Sequence, residues 1–391
     1  MRNKILSIIT IVSCITASAQ DVCVINGNIA DCHLADGKKV KKVYLTRTNE
    51  FGQEVMVATA KVKKGNYTFK HELEQSEPVM QYTITGFGGE QGIALFVEPG
   101  EVMVTTPTAT APEQSVVAGT VTNDTYSEYK EIFNTCEREV TRQIAELEAL
   151  HGKEWLDSKE GKNAVKRIRA TEAINAESQA LRFLIDHHDS PMTPLEVEQT
   201  LLPKLSPAYA EQITKSIAYS LQNHPYYHSL RNTMLANSLK VGGEAPNVTL
   251  PMLNGETKHL DDYRGQYVIL NFWTESEKSA EMFAELKNVY DVIKEHKDQF
   301  VIFSFSLESD VAAWKKAVES YGINLEGWLH ACDGVGANSP AVKRYGVDKT
   351  PKIIFIEPEG HVISLDMDKD EITMRIAQIL MGDLYYLDQE K

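Results

Sequence analysis

Two seven-residue runs in the last third of the chain are apolar almost throughout: Tyr267-Val268-Ile269-Leu270-Asn271-Phe272-Trp273 and Phe300-Val301-Ile302-Phe303-Ser304-Phe305-Ser306. Strands this apolar leave no face for water and must be covered above and below. Between them, Glu281 to Ile293 carries Met282, Leu286, Val289, Tyr290 and Ile293 at steps of three and four, which predicts one apolar helix face. A second helix is predicted over Val311 to Tyr321. Lys352 to Ile356 and His361 to Leu365 predict strands joined through Pro358-Glu359-Gly360, and Glu371 to Met381 a closing helix. The order β-α-β-α-β-β-α over 242–391 describes a central sheet with helices on both faces.

The rest of the chain follows other periods. Residues 21–106 contain short runs rich in β-branched and aromatic residues at 40–45, 55–58, 67–69, 80–84 and 93–97. The breaks between them hold Asp36-Gly37, Lys64-Gly65-Asn66 and Glu98-Pro99-Gly100, which predicts an antiparallel β domain, a sandwich or barrel. Residues 106–123, with Pro107 and Pro112, read as a linker. Residues 124–240 read as helical: Tyr126, Tyr129, Phe133, Cys136, Val140, Ile144 and Leu147 form one stripe, with Asn123-Asp124 as its cap. A second helix is expected through Val165, Ile174, Leu184 and Ile185, and shorter ones at 194–203, 207–222 and 225–239. Lys240 to Pro246 is a second joint. At roughly 100–200 residues per domain, 391 residues suit this multi-domain order of β domain, helical middle region and C-terminal α/β domain.

Residues 1–19 read as a signal peptide. Arg2 and Lys4 precede an apolar stretch from Ile5 to Thr16, and Ala17-Ser18-Ala19 is a small-x-small cleavage site. A rival reading takes Ile11-Val12-Ser13-Cys14 as a lipobox, with Cys14 lipidated. Either places the mature protein outside the cytoplasm, in the periplasm or cell envelope. The net charge is −15. Losing Arg2 and Lys4 takes Lys plus Arg from 40 to 38 and the charge to −17. A chain this acidic lacks the footprint of a nucleic-acid binder. It is repelled by anionic lipid, so membrane association is expected only through a lipidated Cys14.

Cys23, Cys32, Cys136 and Cys332 survive cleavage. Cys23 and Cys32 cannot meet if Val22 to Cys32 is one strand. If Asn26-Gly27 turns a hairpin, Cys23 faces Ala30. Cys136 belongs to the helical stripe, as a small core residue. His224 and His228 stand four apart, a spacing that can bind metal, but Pro225 interrupts the pair and no third ligand is near in sequence. No metal site and no cofactor is expected.

The α/β region resembles a thioredoxin fold of the TlpA/ResA type, exported thiol:disulfide oxidoreductases. Gly243-Glu244-Ala245-Pro246 is similar to the family's opening, Leu260 to Gln266 to its following turn, Val268 to Trp273 to its first buried strand, and Arg344 to Pro351 to its cis-proline loop. The resemblance covers residues 242–391, and the upstream part resembles extensions found in Bacteroidetes envelope members. It implies a CxxC after the first strand and a cis Thr350-Pro351 bond. The chain instead reads Thr274-Glu275-Ser276-Glu277-Lys278-Ser279, a shorter segment with serine at both spaced positions. A dithiol cycle needs a thiolate and a resolving thiol, and a serine hydroxyl without a base supplies neither.

Two functions follow. The first is non-redox binding of a protein or an extended peptide by Trp273, Ser276, Ser279, Thr350 and Pro351, with the alternative that the serines only cap a helix and Pro351 only holds a turn. The second is thiol:disulfide chemistry at Cys332, flanked by His330 and Asp333 in a predicted loop. That role requires a lowered thiol pKa; otherwise Cys332 is an inert loop residue. The sequence leaves the oligomeric state open.

Overall fold

The computed structural model describes residues 22–74, 76–87 and 92–382. The predicted leader and Cys14 lie outside the described residues. The chain divides into two compact units, one made of the residues through Thr46 with Met56–Glu128, the other of Arg47–Val55 with Tyr129 onward.

In the first unit β1 runs unbroken from Val22 to Asp31, so Asn26-Gly27 makes no turn. It is followed by β2 (Lys42–Thr48), β3 (Glu54–Lys61), β4 (Asn66–Glu72), β5 (Met80–Thr85), β6 (Ile93–Val97), β7 (Gly100–Thr108) and β8 (Val116–Ala118). They form two four-stranded sheets, β4-β1-β7-β8 and β3-β2-β5-β6. Alternate residues of both, among them Ile25, Ile29, Leu45, Ile84, Leu95 and Val104, share one apolar core. Gly27 is opposite Tyr67, and an added Cβ would sit 1.9 Å from the tyrosine ring, so only glycine lets that ring lie across the strand.

Three expectations change here. The domain is antiparallel except for β1 and β7, which pair in parallel. Residues 106–123 are not a linker: β7 continues to Thr108, and β8 folds back to pair with it. Helix α1 (Val121–His151) starts earlier than the predicted cap. Asn123 is buried instead. Its amide donates to the Phe96 carbonyl (2.7 Å) and to Thr120 Oγ1 (2.8 Å), and its oxygen accepts from the Phe96 N–H (2.8 Å). Since β6 is an edge strand, one side chain replaces the missing neighbour strand at Phe96.

The second unit holds the rest of α1, then α2 (Lys153–Asp157), α3 (Lys159–Asp186), α4 (Met192–Glu196), α5 (Pro207–Ser216) and α6 (Pro225–Asn237). Tyr129, Cys136 and Val140 are buried along α1 as the period predicts. On α3 the buried row is Ala176, Ala180 and Leu184, four residues apart, while Ile174 and Ile185 are exposed. The two alanines allow a close approach along that row, and Ile174, two positions before it, and Ile185, one position after it, point away from it.

The α/β domain contributes β9 (Thr249–Pro251), β10 (Thr257–His259), β11 (Tyr267–Trp273), α7 (Glu277–Ile293), β12 (Phe300–Ser306), α8 (Val311–Ser320) and β13 (Trp328–Ala331). It ends with α9 (Pro340–Arg344), β14 (Lys352–Ile356), β15 (Val362–Ser364) and α10 (Lys369–Leu380). Its five-stranded sheet has the order β13-β12-β11-β14-β15. β11, β12 and β13 are parallel, and β14 lies antiparallel to β11. Separate cores cover its faces, one with Ile269, Phe283, Leu286 and Trp314, the other with Leu270, Phe303, Tyr345 and Ile354. β13 and its neighbour α9 are additions to the predicted order; four residues containing a histidine make too short a period to read.

The joint after α6 is tied down. Asn232 accepts from the Asn247 amide (2.9 Å), Arg344 donates to the Asn247 carbonyl (2.9 Å), and Tyr345 Oη donates to the Pro246 carbonyl (2.7 Å). The helical region and the α/β domain thus fall in one unit. Among the described residues no helix is long and apolar enough to cross a membrane, and Cys23, Cys32, Cys136 and Cys332 are free thiols.

Replacing Asn123 with Ala leaves the N–H and carbonyl of Phe96 buried and unpaired. The expected loss of unfolding free energy is about 2–3 kcal/mol, read as a lower urea midpoint with an unchanged slope.

Candidate functional site

The site forms where β11 ends and β14 begins, neighbours paired at Phe272 and Lys352. Ser276 ends the extended segment after β11 and caps α7: its Oγ accepts from the Ser279 amide (3.2 Å) and donates to Ser279 Oγ (3.0 Å). Serine favours this position because a short side-chain oxygen reaches an amide of the first turn. Ser279 is fully buried and Ser276 half-buried. Neither hydroxyl bonds to an imidazole or a carboxylate of a described residue.

Other residues hold this turn. Tyr321 Oη accepts from the Ser276 amide and donates to the Ser276 carbonyl, both at 3.2 Å. The Glu308 carboxylate accepts from the Glu275 amide (3.0 Å). Thr274 Oγ1 lies 2.8 Å from Thr350 Oγ1, joining the approach to α7 with the loop before β14. The Thr350-Pro351 peptide bond is cis. Neither the N–H nor the carbonyl of Thr350 bonds to another described residue, and both Thr350 and Pro351 are half-buried.

Ser276, Ser279, Thr350 and Pro351 are therefore brought to one end of the sheet. Trp273 is placed differently from the expectation. It is fully buried, with its ring edge-on to Phe283 (5.0 Å) and Tyr321 (5.8 Å). As the last residue of a strand covered on both faces, it supports the site from beneath and lines no open surface. Thr274, Tyr321 and Glu308 were not singled out by sequence. Thr274 adjoins the apolar run and was within reach of that reasoning. Tyr321 and Glu308 arrive from more than 30 residues away with no local signal.

Cys332 lies directly after β13, not in an open loop, and is buried in the core beneath α7 and α8. Its thiol donates to the Glu308 carbonyl (3.2 Å). Burial pushes the thiol pKa up to about 11; the backbone at Gly334 opposes this, while the negative charges of Asp333 and Glu308 add to it. The flanking residues do not activate it. His330 bonds through Nε2 to the Ile323 carbonyl (2.8 Å), and burial lowers its pKa to about 4, so it stays neutral. Asp333 is itself raised by burial. The thiol has the opposite shift from the one a nucleophile needs.

His224 caps α6, its ring accepting from the Tyr226 amide (3.2 Å). Among the described residues no group of three or more histidine, cysteine, aspartate or glutamate side chains is placed to hold a metal ion.

Residues 241–364 match the model of the AhpC/TSA family. Over these residues the C-terminal domain is similar to that family, and its fold is thioredoxin-like. Its relatives include the thiol-disulfide oxidoreductase ResA of Bacillus thuringiensis, 27% identical over 126 residues, which are 32% of this chain and 68% of the relative. ResA of Geobacillus kaustophilus is 27% identical over 146 residues, 36% of this chain and 79% of the relative. Among solved structures, a thiol-disulfide oxidoreductase from Bacteroides fragilis is 27% identical and covers 35% of this chain and 98% of its own, with a TM-score of 0.32. A thiol:disulfide interchange protein from Bacteroides sp. is 26% identical and covers 36% and 90%, with a TM-score of 0.32. Residues 23–126 match DUF4369, a domain of unknown function, whose extent includes β7 and β8. The thioredoxin-like domain thus carries serines at 276 and 279 and a buried thiol at 332.

Alkylation tests the state of Cys332. A thiol at about 11 in the folded protein, against 9.0 for the free group, holds roughly a hundredfold less thiolate at pH 8. Iodoacetamide labelling of Cys332, followed by peptide mass spectrometry, is expected to be at least that much slower in native protein than in urea. Between pH 9 and 11 the unfolded chain ionises first, so this group lowers stability as pH rises. The Cys332→Ala variant should show a shallower loss over that range.

Proposed function

We propose that this is an exported protein whose thioredoxin-like domain binds extended polypeptide without redox turnover. The observation that carries the proposal is the hydroxyl pair Ser276 and Ser279 at the first turn of α7, where a dithiol would have to stand. Two hydroxyls cannot exchange with a disulfide, and neither has a base to activate it. Binding is supported by Thr350. Its N–H and carbonyl bond to no other described residue, its hydroxyl lies against that of Thr274, and free backbone groups of this kind pair with an extended partner. Export is supported by the leader sequence at 1–19.

Catalysis through Cys332 finds no support in the geometry, because the thiol is buried, raised in pKa and bonded to a main-chain oxygen.

Insulin reduction by dithiothreitol is expected to run at the uncatalysed rate with the wild-type protein and with Cys332→Ser alike. Turnover in the wild type that the variant loses would replace this reading with single-thiol chemistry. Reduced, carboxymethylated insulin B chain is expected to bind, with at least tenfold weaker binding to Thr350→Glu. The double variant Ser276→Cys/Ser279→Cys is expected to oxidise to an intramolecular disulfide, seen as loss of one H2 by mass spectrometry, because the two hydroxyl oxygens are 3.0 Å apart.

A further inference from the structure

The β unit carries a concentration of positive charge that the composition of the chain hides. Lys38, Lys39 and Lys41 lie between β1 and β2, Lys42 opens β2, Lys61 ends β3, and Lys63 and Lys64 sit in the turn to β4. Main-chain bonds bring these two segments to one end of the unit. Val62 N donates to the Lys41 carbonyl (2.9 Å), Ile29 N to the Gly65 carbonyl (2.8 Å), and Val40 N to the Cys32 carbonyl (2.9 Å). All seven lysines are exposed. Within 31–42 and 61–66 the only acids are Asp31 and Asp36. Asp36 pairs with Lys38 (2.8 Å) and Asp31 bonds to His33 (2.8 Å). Lys39, Lys41, Lys42, Lys61, Lys63 and Lys64 make no ion pair with a described carboxylate.

The net charge of −15 does not cancel this patch, because at physiological ionic strength charges are screened beyond about 8 Å. What approaches this end meets the lysines. We infer that it is a docking surface for an anionic phospholipid bilayer.

The residue types select that occupant. The two segments contain no arginine, so they offer no planar fork for bidentate phosphate or carboxylate recognition. They contain no phenylalanine, tyrosine or tryptophan, the residues that anchor protein interfaces and stack on single-stranded nucleic acid. Lysine is depleted in protein interfaces. Mobile point charges on exposed turns instead suit a fluid plane of headgroup phosphates, where each lysine near the surface contributes about 1 kcal/mol, or roughly fivefold in affinity. On this proposal the general repulsion between the acidic chain and anionic lipid does not extend to this end, which would face a bilayer without a covalent anchor.

Co-sedimentation with vesicles tests the inference. The purified protein is expected to bind phosphatidylglycerol/phosphatidylcholine vesicles, not pure phosphatidylcholine, and to be released as sodium chloride is raised. The variant Lys39→Gln/Lys41→Gln/Lys63→Gln/Lys64→Gln should lose at least a hundredfold in partition coefficient with an unchanged melting temperature. The corresponding four Lys→Arg changes should keep binding, and the salt titration of wild type reads the same effect without any variant. Equal binding to neutral vesicles, no binding to acidic ones, or wild-type partition of the four-glutamine variant overturns the inference. Binding to polyglutamate in the absence of vesicle binding overturns it in favour of an acidic polypeptide.

Discussion

Burial of β11 on both faces is the constraint on which the α/β domain depends. Ile269 and Trp273 face one core while Leu270 and Phe272 face the other. A strand with no wet side must be central and must have helices over both faces. That centrality brings β12 alongside in parallel and β14 in antiparallel. It also delivers the chain leaving Trp273 to the same end of the sheet as Thr350. The candidate site is a consequence of where this strand ends.

The turn after β11 is held by bonds that involve no thiol. Ser276 still caps the helix, and Ser279 still occupies the first turn with its hydroxyl turned toward Ser276. Tyr321 and Glu308 satisfy the amides that precede them, and Thr274 ties the turn to Thr350. Each of these bonds is indifferent to redox chemistry. What stays open is the main chain of Thr350, whose N–H and carbonyl bond to no other described residue.

Electrostatics in this protein is a matter of place. Cys332 is flanked in sequence by a histidine and an aspartate, yet burial dominates all three, leaving the imidazole neutral and the thiol protonated. The lysines at the end of the β unit are the converse case: strongly exposed, close together, and answered by few acids although the chain as a whole is acidic. Sequence adjacency and net charge both average over distances that solvent and burial separate.

The sequence alone determined the fold class, the buried strands at 267–273 and 300–306, and the absence of a CxxC, because apolar period and residue identity are local properties. The resemblance to the TlpA/ResA family pointed to Ser276, Ser279, Thr350 and Pro351. The end of β7 and all of β8 within 106–123 were illegible because their prolines and threonines read as a linker, and β13 because four residues hold no period. Only the tertiary structure decided that Trp273 is a support and not a surface, that Tyr321 and Glu308 belong to the site, and that Cys332 is sealed. Those outcomes depend on which residues of distant elements exclude water from a given atom, and no window of adjacent residues contains that information.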